Sequence, residues 1–134
     1  MKRTPRWLTP MAVLAIHEQL IVEHGGLVGV RDRGLLESAL DSPRNHHVCA
    51  KTDRFDLAAA YAVALCRDHP FHDGNKRIAL TVVGVFLELN GAALRASEAD
   101  AVLATLALSN GEMDREGYAA WLRTNSVRLR SSKR

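Results

Sequence analysis

The chain has 134 residues, of which 47% are hydrophobic and 25% are charged, and this balance is typical of one globular domain rather than of a disordered protein. No apolar run approaches the roughly 18 residues of a membrane-spanning helix, and the N-terminus lacks the apolar stretch of a signal peptide. We therefore expect a cytoplasmic protein without a membrane partner. Cys49 and Cys66 do not have the spacing of a zinc site or a disulfide framework.

The basic residues are concentrated at the two ends of the chain. The net charge is +3, yet of the 18 lysines and arginines only 11 lie in the body of the chain, together with all 15 acidic residues. We therefore divide the chain into a single domain over residues 1–127 and a basic C-terminal tail over residues 128–134, and we do not expect direct nucleic-acid binding. The terminal basic residues are Lys2, Arg3, Arg6, Arg128, Arg130, Lys133 and Arg134.

Helix start and stop signals divide the first part of the chain. A threonine and a proline at residues 9–10 begin the first helix, and the glycine pair at residues 25–26 ends it. The segment "GGLVGVRD" follows, and it predicts a short hairpin or an extended loop near residues 25–31. Asp32 is placed to cap the second helix, which we expect to end at Pro43.

The same signals predict four further helices. Asp53, with Asp56 three residues later, caps the third helix, "RFDLAAAYAVALCRDH", and the fourth, "NKRIALTVVGVFLELN", begins at Asn75. Both are apolar on most of their faces, so we place them at the centre of the domain. Ser97 and Asp114 cap the fifth and sixth helices. The sequence therefore predicts an all-α fold, a compact bundle of about six helices.

The stretch "HPFHDGNKR", from His69 to Arg77, interrupts the two central helices with polar residues. The start of a helix exposes unpaired N–H groups and the positive end of the helix dipole, and both attract phosphate. Gly74 allows an anion to approach the backbone, Asn75 caps the helix or donates to an oxygen, and Lys76 and Arg77 add cationic donors on the first turn. This loop predicts a phosphate-binding site.

Two more side chains of the stretch suggest chemistry at that phosphate. A carboxylate beside a phosphate is repelled unless a cation lies between them, so Asp73 is predicted to hold Mg²⁺. The imidazole of His69 can accept a proton near neutral pH, as a hydroxyl that attacks phosphorus requires. We expect Phe71 to point inward as an apolar anchor for the loop.

The stretch resembles the signature of the Fic/Doc family, which is His-Pro-Phe, any residue, Asp or Glu, Gly-Asn, Gly or Lys, and Arg; "HPFHDGNKR" matches every specified position. The similarity extends to "EHGGLVGVRDRGLLESALDSPRN" before it and to "YAAWLR" near the end. The resemblance implies a Fic/Doc-like fold, with ATP and Mg²⁺ as cofactors. It implies the following roles: His69 as the catalytic base, Lys76 and Arg77 as catalytic cations, Asp73 as the metal ligand, and Gly74, Asn75, Lys76 and Arg77 as the nucleotide phosphate site.

The resemblance also separates two branches of the family. The Fic branch, which transfers AMP, has glycine at the position of Lys76 and a second arginine at the position of Leu80. The Doc branch carries the lysine, which implies a toxin that transfers the γ-phosphoryl group of ATP to elongation factor Tu and halts translation. It has asparagine at the position of Thr81, and we assign Thr81 to the nucleotide site because its hydroxyl can also hydrogen-bond. A Phd-like antitoxin is the implied partner.

Two other functions remain open at the level of the sequence. An AMP transferase would use the same histidine-based site. A non-catalytic helical adaptor would keep the fold and use the basic tails to bind RNA or a protein partner.

Overall fold

In a computed structural model, the described part of the chain, residues 4–130, forms six helices and two short strands. The predicted all-α bundle of about six helices is confirmed. The helices are α1 (Pro10–His24), α2 (Arg33–Cys49), α3 (Arg54–Asp68), α4 (Asn75–Leu89), α5 (Glu98–Ser109) and α6 (Arg115–Thr124), and the strands are β1 (Ala92–Leu94) and β2 (Ser126–Arg128).

The two helices predicted to be central occupy the middle of the bundle. Nine of the 15 residues of α3 are buried, and this helix packs against α2, α4 and α6. Five of the buried residues are alanines, at positions 58–60, 62 and 64, and their small side chains allow neighbouring helices to approach closely. Tyr61 is fully buried among them, and its hydroxyl accepts a hydrogen bond of 3.1 Å from the N–H of Leu8. The N-terminal segment is thereby fixed to the core.

Five of the six helices in the described part of the chain begin with a side-chain cap, and α4 does not. In each capped helix a side-chain oxygen accepts from a backbone N–H of the first turn, at 2.7 to 3.1 Å. The caps are Thr9, Asp32, Asp53, Ser97 and Asp114, as the sequence predicts. Helix α4 begins after Gly74, which has a positive φ of 75° and no side chain with which to cap.

Helix α2 does not end at Pro43, so that prediction is wrong. The helix continues to Cys49, and Pro43 is buried within it. A proline inside a helix removes one main-chain hydrogen bond and its ring crowds the carbonyl four residues earlier, yet this helix continues through it. Contacts with residues outside the helix stabilise its later turns. Nδ1 of His47 lies 2.9 Å from Oγ1 of Thr52, and the His47 ring packs against Trp7 in a T-shaped arrangement.

The segment near residues 25–31 is an extended loop. Its one bridge to another segment in the described residues joins Val30 to Phe71 in antiparallel fashion. The loop therefore runs beside the residues that connect α3 to α4, and the two segments share main-chain hydrogen bonds.

The folded domain extends through residue 128, because residues 126–128 form a strand. Strand β2 pairs antiparallel with β1, and Arg128, where we place the start of the tail, lies opposite Ala92. Lys2, Arg3, Lys133 and Arg134 lie outside the described residues. No helix among residues 4–130 is both long enough and apolar enough to span a bilayer.

Candidate active site

The loop between α3 and α4 is anchored by Phe71 and Asn75. Phe71 is only 1% exposed, as predicted. Its N–H donates to Oδ1 of Asn75 at 3.0 Å, and Nδ2 of Asn75 donates to the Phe71 carbonyl at 3.0 Å. Asn75 is therefore buried and holds the loop, and it is not the cap of α4, because Gly74 occupies that position.

His69 ends α3 in an unusual backbone conformation. Its φ of 50° and ψ of 57° are left-handed, and among residues 4–130 it is the one non-glycine residue with a positive φ. The left-handed conformation costs an ordinary L-residue about 1–2 kcal/mol. The residue is exposed to solvent. Backbone strain of this kind is typical of functional sites.

Arg31 supports the backbone around His69, a contact that the sequence did not suggest. Its Nε donates to the His69 carbonyl at 2.8 Å and its Nη2 to the Asp68 carbonyl at 3.0 Å. Its main-chain N–H donates to the Pro70 carbonyl at 2.7 Å. The guanidinium thus lies at the negative end of the α3 dipole, where a cation is favoured.

The carboxylate of Asp73 is exposed and oriented by two backbone N–H groups. Leu27 donates to Oδ2 at 3.2 Å, and Gly74 donates to Oδ1 at 3.1 Å. These two bonds leave most of the acceptor capacity of the carboxylate free. Leu27 belongs to the extended loop, so the loop that supports His69 also orients Asp73.

A buried histidine lies beneath this carboxylate. His17 is only 3% exposed, and its Nε2 lies 2.8 Å from the Asp73 carbonyl. Since a carbonyl only accepts, Nε2 carries the proton and donates it. The ring of His17 also stacks on Phe71, with centroids 3.7 Å apart. His17 thus connects α1 to the base of the loop.

The remaining predicted site residues lie on the first two turns of α4. Lys76 and Arg77 are exposed, and within residues 4–130 neither side chain makes a hydrogen bond or an ion pair. The hydroxyl of Thr81 donates to the Arg77 carbonyl at 2.9 Å, which leaves its oxygen available as an acceptor. The cationic groups are therefore next to the uncapped helix start.

The thiol of Cys66 lies in the core, and nearby charges affect its pKa. Burial raises the pKa of the Cys66 thiol to about 11, although the charges of Lys76 and Arg67 favour the thiolate. Cys66 therefore stays protonated at neutral pH and is not a nucleophile.

The residues present fit Mg²⁺ bound together with a nucleotide. Among residues 4–130 there is no cluster of three or more histidine, cysteine, aspartate or glutamate side chains that would form an all-protein metal cage. Magnesium at nucleotide sites takes one or two carboxylates and completes its shell with phosphate oxygens and water. The exposed carboxylate of Asp73, adjacent to the start of α4, matches that requirement.

Comparison with known proteins identifies the family. A sequence profile of the Fic/DOC family matches residues 7–87. The chain belongs to the Fic/DOC family. The matched region of this Fic/DOC protein includes the whole stretch from His69 to Arg77 and the extended loop beside it. The family resemblance predicted from the sequence is confirmed.

Two characterised relatives resemble this Fic/DOC chain. It is 34% identical over 119 residues to "Protein kinase doc" of Escherichia phage P1, which covers 88% of this chain and 94% of that protein. It is 40% identical over 77 residues to "Toxin Doc" of Mycolicibacterium smegmatis, which covers 56% of this chain and 59% of that protein. Both relatives carry Doc in their names.

The site residues predicted from the sequence of this Fic/DOC protein lie close together along the chain, whereas two residues that contact the loop from distant positions were not predicted. His69, Asp73, Lys76 and Arg77 lie in one loop and the turn after it, and Thr81 lies one turn further along α4. Arg31 and His17 contact the loop from 38 and 56 residues away along the chain. The sequence around Arg31 carried no signal of this contact, because its segment resembles an ordinary connector between helices. For His17 there was none either, because it is one of several polar residues in the first helix.

Proposed function

We propose that this protein is a Doc-type toxin, a kinase that transfers the γ-phosphoryl group of ATP to a hydroxyl of a translation factor. The proposed target is elongation factor Tu in the cytoplasm, and the proposed controlling partner is a Phd-like antitoxin. The names of the two relatives, one a protein kinase and the other a toxin, support this proposal.

The uncapped start of α4 is the observation that carries this proposal. The other five helices of residues 4–130 satisfy their first N–H groups with a side chain, whereas α4 offers these groups beside Lys76 and Arg77. A phosphate is stabilised there by the dipole, by backbone donors and by two cations. The exposed His69 precedes this helix by only one short loop.

Each side chain of the site has a defined part in the transfer. Lys76 and Arg77 bind and orient phosphate oxygens, and Asp73 would hold Mg²⁺, which would supply positive charge to neutralise the phosphates. His69 accepts the proton of the attacking hydroxyl while the hydroxyl oxygen forms a bond to the γ-phosphorus. The bond from that phosphorus to the bridging oxygen breaks, and ADP leaves.

Lys76 and Leu80 favour γ-phosphoryl transfer over AMP transfer. The side chain of Lys76 occupies the position where AMP-transferring relatives have glycine, and therefore fills space beside the helix start. Leu80 is half-buried and apolar, so this position supplies no second guanidinium to bind the distal phosphates. Both substitutions support a different nucleotide orientation from that of the Fic branch.

Labelled ATP tests this proposal directly. Purified protein is incubated with Mg²⁺, elongation factor Tu and ATP labelled at either the α- or the γ-phosphorus. Label from the γ position on the target, lost in His69→Ala and retained in His24→Ala, is the expected result. His24 is a suitable control because it is an exposed histidine at the end of α1.

The other functions give different outcomes. Transfer of the α label identifies an AMP transferase with the same site. No transfer from either position, together with a growth arrest that His69→Ala still produces, identifies an adaptor. Co-expression with a candidate antitoxin should restore growth if the proposed partner is right.

A further inference from the structure

We propose that Arg31 is a positioning residue, which holds His69 in its left-handed conformation and so fixes the direction of the imidazole. The inference rests on the proposed function, in which His69 is the base. Arg31 acts through the main chain of residues 68–70 and does not take part in the chemistry.

One residue binds three consecutive carbonyls. Arg31 donates from Nη2 to Asp68, from Nε to His69 and from its main-chain N–H to Pro70. The carbonyls of Asp68 and His69 belong to the two peptide groups on either side of the His69 Cα. Because φ and ψ of His69 rotate these two groups, binding both carbonyls fixes both angles.

His69 requires such support because its own sequence context disfavours the conformation. Any residue with a Cβ is disfavoured in the left-handed region of backbone conformation. The following residue is Pro70, and a residue before proline prefers an extended backbone. The Arg31 guanidinium can stabilise the disfavoured conformation, because its rigid fork presents two donors to neighbouring carbonyls at the end of a helix.

The main chain around Arg31 is held in place by contacts that do not involve the Arg31 side chain. Val30 forms the bridge to Phe71, and the Gly29 carbonyl accepts from the N–H of His72 at 3.2 Å. On the other side, Asp32 caps α2. A substitution that removes only the guanidinium therefore leaves the course of this loop intact, and its effect should be confined to residues 68–70.

Steady-state kinetics of phosphoryl transfer distinguish positioning from binding. In Arg31→Met, kcat should fall by roughly tenfold to a hundredfold, as expected for a displaced catalytic group, while KM for ATP and for the protein target stays within about twofold. Arg31→Lys should have an intermediate kcat, because an ammonium group can still reach one carbonyl. Arg33→Met is the matched control, since the side chain of Arg33 is exposed and makes no hydrogen bond within the described residues.

Other kinetic outcomes overturn the proposal. A raised KM for ATP or for the target, with kcat unchanged, would make Arg31 a substrate-binding residue. A lowered melting temperature with unchanged kcat would make its role purely structural. Should Arg31→Met fail to fold, Arg31→Lys decides: a lower kcat at unchanged KM supports positioning, and an unchanged kcat overturns it.

Crystal structures of the variants test the inference independently of catalysis. In Arg31→Met, φ of His69 should leave the left-handed region or become heterogeneous, whereas Arg33→Met should retain it. If φ stays near 50° in Arg31→Met, the inference fails even if the kinase is active. If wild-type protein transfers no phosphoryl group, the proposed function fails, but this structural comparison still decides what Arg31 does.

Discussion

Gly26 and Asp73 are packed so closely that a Cβ on Gly26 would lie 2.8 Å from Oδ2 of the Asp73 carboxylate. That distance is shorter than any ordinary non-bonded contact between carbon and oxygen. Position 26 therefore fixes where the proposed magnesium ligand lies, from 47 residues away in the chain. The φ of 122° at this position also favours glycine, because residues with a Cβ rarely adopt it.

Gly26→Ala should weaken magnesium-dependent transfer more than it weakens the fold. The atom in conflict is the end of a short exposed side chain, so the carboxylate moves and loses the Leu27 N–H, while the core stays packed. We expect the Mg²⁺ concentration at half-maximal rate to rise by roughly tenfold or more, as for a metal ligand whose orienting contacts are lost. A magnesium titration of the transfer rate measures this.

Gly25→Ala is the matched control for that variant. Gly25 also has a positive φ, of 83°, but a Cβ there would meet nothing within 4 Å. Gly25→Ala therefore introduces backbone strain, as Gly26→Ala does, but no contact with Asp73. Equal shifts of the magnesium dependence in the two variants would show that strain, and not the carboxylate, is responsible.

Local features of this fold could be predicted from the sequence, and non-local ones could not. The caps at Asp32 and Asp53 were predictable because each bonds to an N–H three residues later. The passage of α2 through Pro43 was not, because packing outside the helix decides whether the later turns persist. The pairing of β1 with β2 was missed because each strand has three residues, too few for a pattern of alternation.

The same distinction applies to the candidate site. The motif from His69 to Arg77 was visible because its chemistry lies in nine adjacent residues. The main-chain carbonyl of His69 accepts a hydrogen bond from Arg31, and the carboxylate of Asp73 accepts one from Leu27, and both donors contact the motif only in the folded chain. Nothing in the local sequence of either residue indicates that contact.

Asn75→Ala should destabilise the protein through the loop it holds. The substitution removes both hydrogen bonds to Phe71 and leaves a buried N–H and a buried carbonyl without their partner. We expect the free energy of unfolding to fall by about 1–3 kcal/mol, as for unsatisfied buried backbone groups. Urea denaturation measures this. Asn45→Ala, at an exposed position of α2, should leave stability unchanged or slightly raise it.

Asp53 should make stability depend on pH in the acid range. Burial tends to raise the pKa of Asp53, but hydrogen bonds from the Asp56 N–H and from Arg123 outweigh it and hold the pKa below its usual 3.8. Since the folded pKa is the lower one, the unfolded state binds more protons as the pH falls through this range. The stability that this carboxylate contributes is therefore present above pH 3.8 and is lost as the pH falls below it.

Asp53→Asn isolates the titration from the cap. Asparagine caps a helix as well as aspartate does, but it carries no charge for Arg123. Wild-type protein should be slightly more stable than the variant at about pH 6, by less than about 1 kcal/mol for an exposed pair, and the advantage should shrink as the pH falls below 3.8. Chemical denaturation at several pH values measures the difference. A constant advantage across the range would contradict the assignment.

The two cysteines should differ sharply in reactivity. Cys49 is exposed at the end of α2, whereas Cys66 is fully buried in α3 and has its pKa raised by burial to about 11, above the usual 9.0. Because the thiolate is the reactive form, a disulfide reagent at about pH 8 should modify one thiol quickly and the second only as the protein unfolds. Cys49→Ser should remove the fast phase, and urea should expose the slow one. A native protein in which both thiols react at the same rate would show that α3 is not the closed centre of the bundle.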